Sequence, residues 1–309
     1  MKLLKPKFWD KKRLTFLSII LYPLTYILDL RNLVTIFIKP KKYSEIKTIC
    51  VGNIYLGGTG KTPLTDCIAK IFRQKLKTVI IKKGYPAHVD EMRLLKKNNQ
   101  VLFNKSREKS LQDAIAKKFE LAIFDDGLQD KKLEYDLKIV CFSSLLLSGN
   151  EMRLPSGPLR EKLNSLKKYD AVFINGTKIN RKFLKKIKNI NPNISIFVGE
   201  YVLSKYNKFK KNDYLTFSGI GNPNSFKNIL KKYYIKNKLN LIFPDHYNYS
   251  DLDLKKIRNI AKSKRLKILT TEKDFYRIPV KFRKNINFIK IELKIKKFQK
   301  FKQFISKYL

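Results

Sequence analysis

The strongest constraint in this sequence is a glycine-rich turn that leads out of an apolar strand and into an amphipathic helix. Residues 46–51 read as a short buried strand, and Gly52-Asn53-Ile54-Tyr55-Leu56-Gly57-Gly58-Thr59-Gly60-Lys61-Thr62 follows it. Leu64, Cys67, Ile68, Ile71 and Phe72 then recur at i, i+3, i+4, i+7 and i+8, the stripe of a core-facing helix. Pro63 falls in the first helical turn, where its missing N–H costs little. Glycines let backbone N–H groups turn toward phosphate oxygens, and the helix N-terminus adds its partial positive charge. The pattern therefore predicts a phosphate-binding loop in which Gly57, Gly58, Thr59 and Gly60 form the cradle. Lys61 would reach the β and γ phosphates of a nucleotide, and the Thr62 hydroxyl would ligate Mg²⁺. One departure stands out. The first glycine of G-x-x-x-x-G-K-[ST] would occupy position 55, which is Tyr55.

A loop of this kind needs a carboxylate for its cation. Residues 121–124 (LAIF) read as a buried strand that ends in Asp125-Asp126-Gly127. Asp-Asp-Gly by itself is equally a turn. Behind an upstream phosphate loop, an acidic residue at a strand's C-terminal end is where Mg²⁺ is held, directly or through water.

Strand-like runs alternate with amphipathic helices through the chain, at 78–81, 121–124, 137–142 and 171–174, then 214–217, 239–243, 266–270 and 286–291. That alternation predicts an α/β protein whose mainly parallel sheets are covered by helices. At 309 residues the chain suggests two domains. Residues 194–203 read as the connection. This reading divides the chain into an N-terminal segment of 1–45, a phosphate-loop domain of 46–200 and a second α/β domain of 201–309.

The N-terminal segment carries an uncharged, mostly apolar run at 14–28, interrupted by Pro23, and a second short run at 33–38. Fifteen residues are too few to span a bilayer. No small-x-small cleavage site follows, so a signal peptide is not indicated. With Lys2, Lys5, Lys7, Lys11, Lys12 and Arg13 upstream, the segment predicts helices lying in the interface, cations toward anionic headgroups. The charge bias points to a cytoplasmic face.

Lys and Arg number 68 against 25 Asp and Glu, a net charge of +43. Lysine, asparagine, isoleucine, phenylalanine and tyrosine are abundant while arginine, alanine and glycine are scarce, so part of this charge is compositional background. Its sign still favours polyanionic partners. No RNP-type aromatic pattern, zinc-finger spacing or basic heptad directs it to nucleic acid, which is not expected as a partner. Nothing in the sequence calls for an obligate protein partner. Three cysteines, Cys50, Cys67 and Cys141, are too few for a disulfide framework and fit a reducing compartment.

Seven segments together resemble one family, the tetraacyldisaccharide 4′-kinases of lipid A biosynthesis. They are VGNIYLGGTGKTP (51–63), GYPAHVDE (84–91), DDGLQ (125–129), RLPSGPLRE (153–161), SGIGNP (218–223), FPDHYNYS (243–250) and TTEKD (270–274). The resemblance implies a peripheral enzyme on the cytoplasmic face of the bacterial inner membrane. It would transfer the γ-phosphoryl group of ATP, with Mg²⁺, to the 4′-hydroxyl of a lipid A disaccharide 1-phosphate. By motif position, Asp90 resembles the acidic member of the family's catalytic dyad and His246 its histidine partner. Asp125, Asp126 and Glu161 fall at the family's acidic Mg²⁺ and nucleotide-site positions. Tyr85 and Gln129 match acceptor-site positions, and Arg160, next to Glu161, would either clamp a phosphate through paired hydrogen bonds or stand in a surface ion pair. A sugar hydroxyl is a weak nucleophile, so a carboxylate that accepts its proton suits the reaction.

Three departures from the family accompany the match. Its usual Ser-Arg-Gly-Tyr reads Lys82-Lys83-Gly84-Tyr85, which keeps positive charge but loses the planar guanidinium fork. The loop between that Gly-Tyr pair and Asp90 is much shorter. DDGFQH reads DDGLQD, with Asp130 where a histidine is usual. Two other readings fit parts of the chain. A phosphate-loop switch that binds a polyanion leaves PSGPLRE and FPDH unexplained. A non-catalytic membrane-binding relative sits poorly with retained Lys61, Thr62, Asp125 and His246.

Overall fold

The computed structural model describes residues 6–11, 13–26, 39–84, 95–204, 209 and 211–309. These residues form two compact units, one comprising the described residues up to 84, 95–200 and 295–309, the other 201–294.

The first unit is built on β1 (Lys47–Gly52), β2 (Thr78–Lys83), β3 (Gln100–Asn104), β4 (Leu121–Asp125), β5 (Leu137–Ser143) and β6 (Ala171–Asn175). With β7 (Ser195–Leu203) and β12 (Ile291–Ile295) they make an eight-stranded sheet in the order β12-β7-β6-β5-β1-β4-β2-β3. Neighbours from β7 to β3 run parallel. Central strands buried on both faces need continuous apolar runs rather than alternation, and every residue of β4 and β6 is buried. One face of the sheet packs Cys50, Val79, Ile81, Phe124 and Tyr135 with Leu111 and Ala114 of α3 (Arg107–Ala116). Another apolar cluster joins Val140, Phe142 and Val172 to Phe183 and Ile187 of α4 (Arg181–Ile190). Asn180 caps α4 by accepting the Phe183 N–H at 2.9 Å.

The helix after the glycine-rich turn is α2 (Lys61–Phe72), and Leu64, Ile68 and Phe72 of the expected stripe are buried, with Cys67 and Ile71 half-buried. Residues 195–203 of the expected connection form a strand, β7, rather than a loop, and the chain crosses between the two units inside β7 and again inside β12. Ser-Ile-Phe-Val-Gly-Glu-Tyr-Val-Leu holds one glycine, no proline and several β-branched or aromatic residues, a strand composition. The run at 286–291 is also two strands, β11 (Ile286–Ile289) and β12, broken at Lys290.

The second unit holds a four-stranded parallel sheet in the order β11-β10-β8-β9, with β8 (Asp213–Ser218), β9 (Lys236–Ile242) and β10 (Lys267–Thr271). Its helices are α5 (Pro223–Lys232), α6 (Asp251–Ser263) and the short α7 (Glu272–Arg277). Leu254, Ile257 and Ala261 of α6 pack on Leu215, Phe217 and Ile268, while Phe226, Ile229 and Leu230 of α5 join Tyr214 and Leu269. Ser250 and Asp253 close a capping box at the start of α6.

At the N-terminus, a turn over Lys7–Asp10 precedes α1 (Phe16–Ile20), and residues 22–26 are again helical. Trp9 is buried, its indole N–H donating to the Pro155 carbonyl at 3.0 Å, and Ser18 pairs with the Asn150 amide at 3.0 Å. The apolar side chains of this segment face outward, Phe16 at 77% exposure and Ile19 at 59%. Among the described residues no helix is long and apolar enough to cross a membrane. The second apolar run, 33–38, lies outside the described residues.

Candidate active site

The parallel register of β1 and β4 sets Val51 beside Asp125, so the turn after β1 and the carboxylates after β4 emerge at the same edge of the sheet. That edge is the C-terminal one, where ligands bind in open α/β sheets. Gly60, at φ 94°, closes the loop in the left-handed region and leads into α2 at Lys61. In the first turn of α2 the Leu64 N–H bonds to the Gly60 carbonyl at 3.2 Å and Pro63 carries no N–H, which leaves the N–H groups of Lys61 and Thr62 as the helix-end donors. Asn53 is buried and its side-chain amide spans the turn to the Gly57 carbonyl at 3.1 Å.

Tyr55, at the place of the missing glycine, is fully buried, and its hydroxyl bonds to Asp10 of the N-terminal segment. The loop is also strapped from above. Leu56 N–H donates to the Pro158 carbonyl at 2.8 Å and Arg160 N–H to the Ile54 carbonyl at 2.7 Å, an antiparallel pairing centred on Tyr55 and Leu159. The strap belongs to a tight turn in which Gly157 N–H reaches the Arg153 carbonyl at 2.9 Å. A Cβ at Gly157 would collide with the Asn150 side chain and the Met152 carbonyl. PSGPLRE thus folds into a compact turn that delivers Arg160 and Glu161 beside the phosphate loop.

Thr62 donates to Asp125 Oδ2 at 2.8 Å, and the same oxygen takes an ion pair from Lys82, whose side chain is almost as buried as the carboxylate. The other oxygen, Asp125 Oδ1, is buried with no hydrogen-bond partner. A hydroxyl and an unclaimed carboxylate oxygen are hard oxygen donors of the kind Mg²⁺ takes, so these residues fit that cation. Asp126 follows with φ 68°, its N–H on the Val51 carbonyl at 2.8 Å and its own carbonyl held by Arg107. This backbone turns the Asp126 carboxylate toward Lys61 Nζ at 3.7 Å and Arg160 Nη1 at 3.0 Å. Burial pushes the Asp126 carboxyl up, but the charges of Lys61, Arg160 and Lys82 outweigh it and hold the group below its ordinary value. Burial lowers the Lys61 ammonium against the pull of Asp126.

Gln129 ties the periphery together. Its amide donates to the Asn53 carbonyl at 2.9 Å and to Glu161 Oε1 at 2.8 Å, and its oxygen accepts from Arg160 at 3.1 Å. The hydroxyl of Tyr169 holds Glu161 Oε2 at 2.9 Å. Lys61, Thr62, Asp125, Asp126, Gln129, Arg160 and Glu161 therefore share one site. Glu161 stands with Gln129 and Tyr169, apart from the Thr62 and Asp125 pair, and the described residues contain no group of three acidic, His or Cys ligands around one cation position. Asp130 pairs with Arg107 at 3.2 Å.

His246 belongs to the second unit, in the turn after β9. Its φ is 56°, and its N–H donates to the Gly219 carbonyl at 3.2 Å and to Asp245 Oδ1 at 2.9 Å. Arg277 Nη2 lies 3.4 Å from its Nδ1 and Lys273 Nζ 3.4 Å from its Nε2. Tyr85 and Asp90 lie outside the described residues.

Sequence reasoning missed three contributors. Lys82 is not turned to solvent or to a phosphate but to Asp125. Arg107 fastens the Asp126 backbone and Asp130. Asp274, fully buried, anchors Arg277 at 2.9 Å beside the histidine. The TTEKD motif was the available signal for the last of these, since Thr271 accepts the Asp274 N–H as a helix cap.

Comparison with known proteins agrees with this architecture. The family model described as tetraacyldisaccharide-1-P 4′-kinase matches residues 14–309. The tetraacyldisaccharide 4′-kinase of Pelagibacter ubique is 47% identical over 299 residues, covering 96% of this chain and 95% of the relative. That of Rickettsia akari is 33% identical over 292 residues, covering 88% of each chain. The crystal structure of LpxK from Aquifex aeolicus in complex with ATP superposes with a TM-score of 0.72 at 25% identity, covering 95% of this chain and 99% of that one. A phosphate loop, a strap and a carboxylate pair so arranged, in a chain matched over nearly its whole length, mark this protein as a member of the tetraacyldisaccharide 4′-kinase family.

Proposed function

We propose that this chain binds Mg·ATP at the phosphate loop and transfers the γ-phosphoryl group to the 4′-hydroxyl of a tetraacyldisaccharide 1-phosphate, in the manner of its family. The observation that carries the site assignment is the convergence of Lys61, Thr62 and Asp125 at the C-terminal ends of β1 and β4. Lys61 places its charge on the β and γ phosphate oxygens, exchanging its 3.7 Å contact with Asp126 for the nucleotide. Thr62 and Asp125 hold the cation. When bound, Mg²⁺ neutralises charge on the phosphates and draws them into line. Arg160, held in place by Asp126 and Gln129, presents its remaining donors to phosphate oxygens. Glu161 and Gln129 brace one another on the rim.

Asp90 accepts the proton of the attacking hydroxyl, and His246 orients and supports that carboxylate. The outward apolar face of residues 14–26 supports a peripheral seat on an anionic bilayer, with the acyl chains of the substrate kept near the lipid. The cytoplasmic face of the inner membrane is the setting this implies.

Steady-state transfer of labelled γ-phosphate to the acceptor, read beside the binding of a fluorescent ATP analogue, tests the roles. Lys61→Ala should lose turnover by several orders of magnitude. His246→Ala should bind the analogue like the parent while transfer falls on the order of a hundredfold. Full transfer by Lys61→Ala would remove the phosphate loop from the reaction.

A further inference from the structure

The second unit carries a buried polar cluster that none of these roles explains. Asp274 is 0% exposed and Arg277 only 5%. Asp274 Oδ1 accepts from Gly219 N–H at 3.1 Å, Tyr249 OH at 3.0 Å and Arg277 Nη1 at 2.9 Å, while Oδ2 accepts from Thr271 Oγ1 at 2.6 Å. Arg277 Nη1 also donates to the Gly219 carbonyl, the same oxygen that accepts the His246 N–H. One peptide group and one carboxylate thus fix both the guanidinium and the backbone of His246. The second arm of the fork, Nη2, then faces His246 Nδ1 at 3.4 Å.

We infer that Arg277, anchored by Asp274, holds neutral His246 in the tautomer that carries its proton on Nε2, and so acts as a positioning residue for that histidine. A guanidinium donates hydrogen bonds, accepts none and keeps its protons at any pH the fold survives. The ring nitrogen facing it must therefore offer a lone pair. A neutral imidazole has one N–H, which is left to Nε2. Lys273 Nζ, 3.4 Å from Nε2, is also donor-only and would favour the opposite tautomer. Arg277 prevails because its fork is tied to a buried carboxylate and a carbonyl, whereas the Lys273 ammonium rides on a flexible four-carbon stem. Asp245 Oδ1, 3.8 Å from Nε2, is an acceptor on that side. This inference rests on the reading of His246 as the acceptor-side histidine for its catalytic meaning.

The chain has two histidines, His88 and His246, so His88→Gln leaves one imidazole signal. Long-range ¹H–¹⁵N correlation on histidine-labelled His88→Gln protein at about pH 8, above the ordinary imidazole pKa, reads the tautomer directly. The expected pattern is Nε2–H. Arg277→Met should convert it to Nδ1–H or a fast mixture and lower kcat on the order of tenfold with KM for ATP unchanged. Arg277→Lys keeps the charge but not the anchored fork and should likewise lose the fixed Nε2–H. Because Arg277→Met leaves Asp274 without its cation, Asp274→Asn/Arg277→Met serves if the single variant does not fold. An Nδ1–H or imidazolium pattern in the parent overturns the inference, as does Nε2–H persisting without Arg277. His246→Ala retaining full transfer would instead remove the histidine from catalysis while leaving the tautomer result standing.

Discussion

Replacing Lys82 by methionine isolates the buried charge pair at the heart of the phosphate-loop site. Lys82 is 4% exposed and Asp125 is 0% exposed, and they meet at the oxygen that also accepts from Thr62. Removing one member of such a pair typically costs 3–5 kcal/mol, because the other charge stays buried without compensation. Lys61 is close enough to feel the Asp125 charge and offsets part of that loss. We therefore expect about 3 kcal/mol, the low end of that range. In a unit of this size that corresponds to a fall in Tm of roughly 6–12 °C. Trp9 is the sole tryptophan and is buried in the same unit, so its fluorescence in a urea titration reports the relevant transition. Asp125→Asn added to Lys82→Met should recover most of the loss, since it removes the orphaned charge. A single variant within about 1 kcal/mol of the parent, or a double variant no more stable than the single, would refute the buried-pair reasoning.

Other consequences follow from charge, burial and exposure. The folded Asp126 carboxyl lies below its unfolded value, so the unfolded chain binds more protons there; its stabilisation is complete above about pH 4 and is lost as pH falls through the folded value. Asp126→Asn should flatten that acid limb in urea unfolding, and an unchanged limb would show the carboxylate contributes nothing. Burial, then the neighbouring Asp66, pushes the Cys67 thiol up to about 11 against Lys70. Alkylation at pH 8 should run about two orders of magnitude slower than for an exposed thiol and rise about tenfold per pH unit to about pH 10, followed by mass spectrometry; an ordinary thiol profile would contradict this. Phe16→Ser/Ile19→Ser should weaken sedimentation with anionic vesicles on the order of a hundredfold, about 3 kcal/mol of lost apolar contact, and unchanged partitioning would take this face off the membrane.

What the sequence made legible was whatever is encoded locally. The strand at 46–51, the glycine turn and the Leu64, Ile68 and Phe72 stripe signal themselves through apolar runs, φ requirements and helical period. Asp125 was legible because a carboxylate that ends a buried strand has few bland explanations beside a phosphate loop. The edge strand Gln100–Asn104 was not, since its Val-Leu-Phe run is bounded by polar residues and is only partly buried at the sheet edge. That segment 194–203 joins the units as a strand was not legible, because Gly199 and Glu200 interrupt a pattern that pairing with β6 resolves. Lys82, at the place of the family's serine, gave no local signal of its role, as a lysine's partner depends on which strand lies beside it, here β4. The strap over Tyr55 and the approach of Arg277 to His246 and Gly219 arise from contacts across more than thirty residues of chain, which no local pattern encodes.

In this family the phosphate loop serves transfer to a lipid hydroxyl rather than release to water. The most direct test incubates the unaltered chain with Mg·ATP and tetraacyldisaccharide 1-phosphate in detergent micelles, then analyses the lipid by mass spectrometry and ³¹P NMR. One added phosphomonoester per disaccharide is expected, at the 4′ position, with one ADP formed for each. ADP formed while the lipid keeps its single phosphate, or a phosphate added at another position, would contradict it.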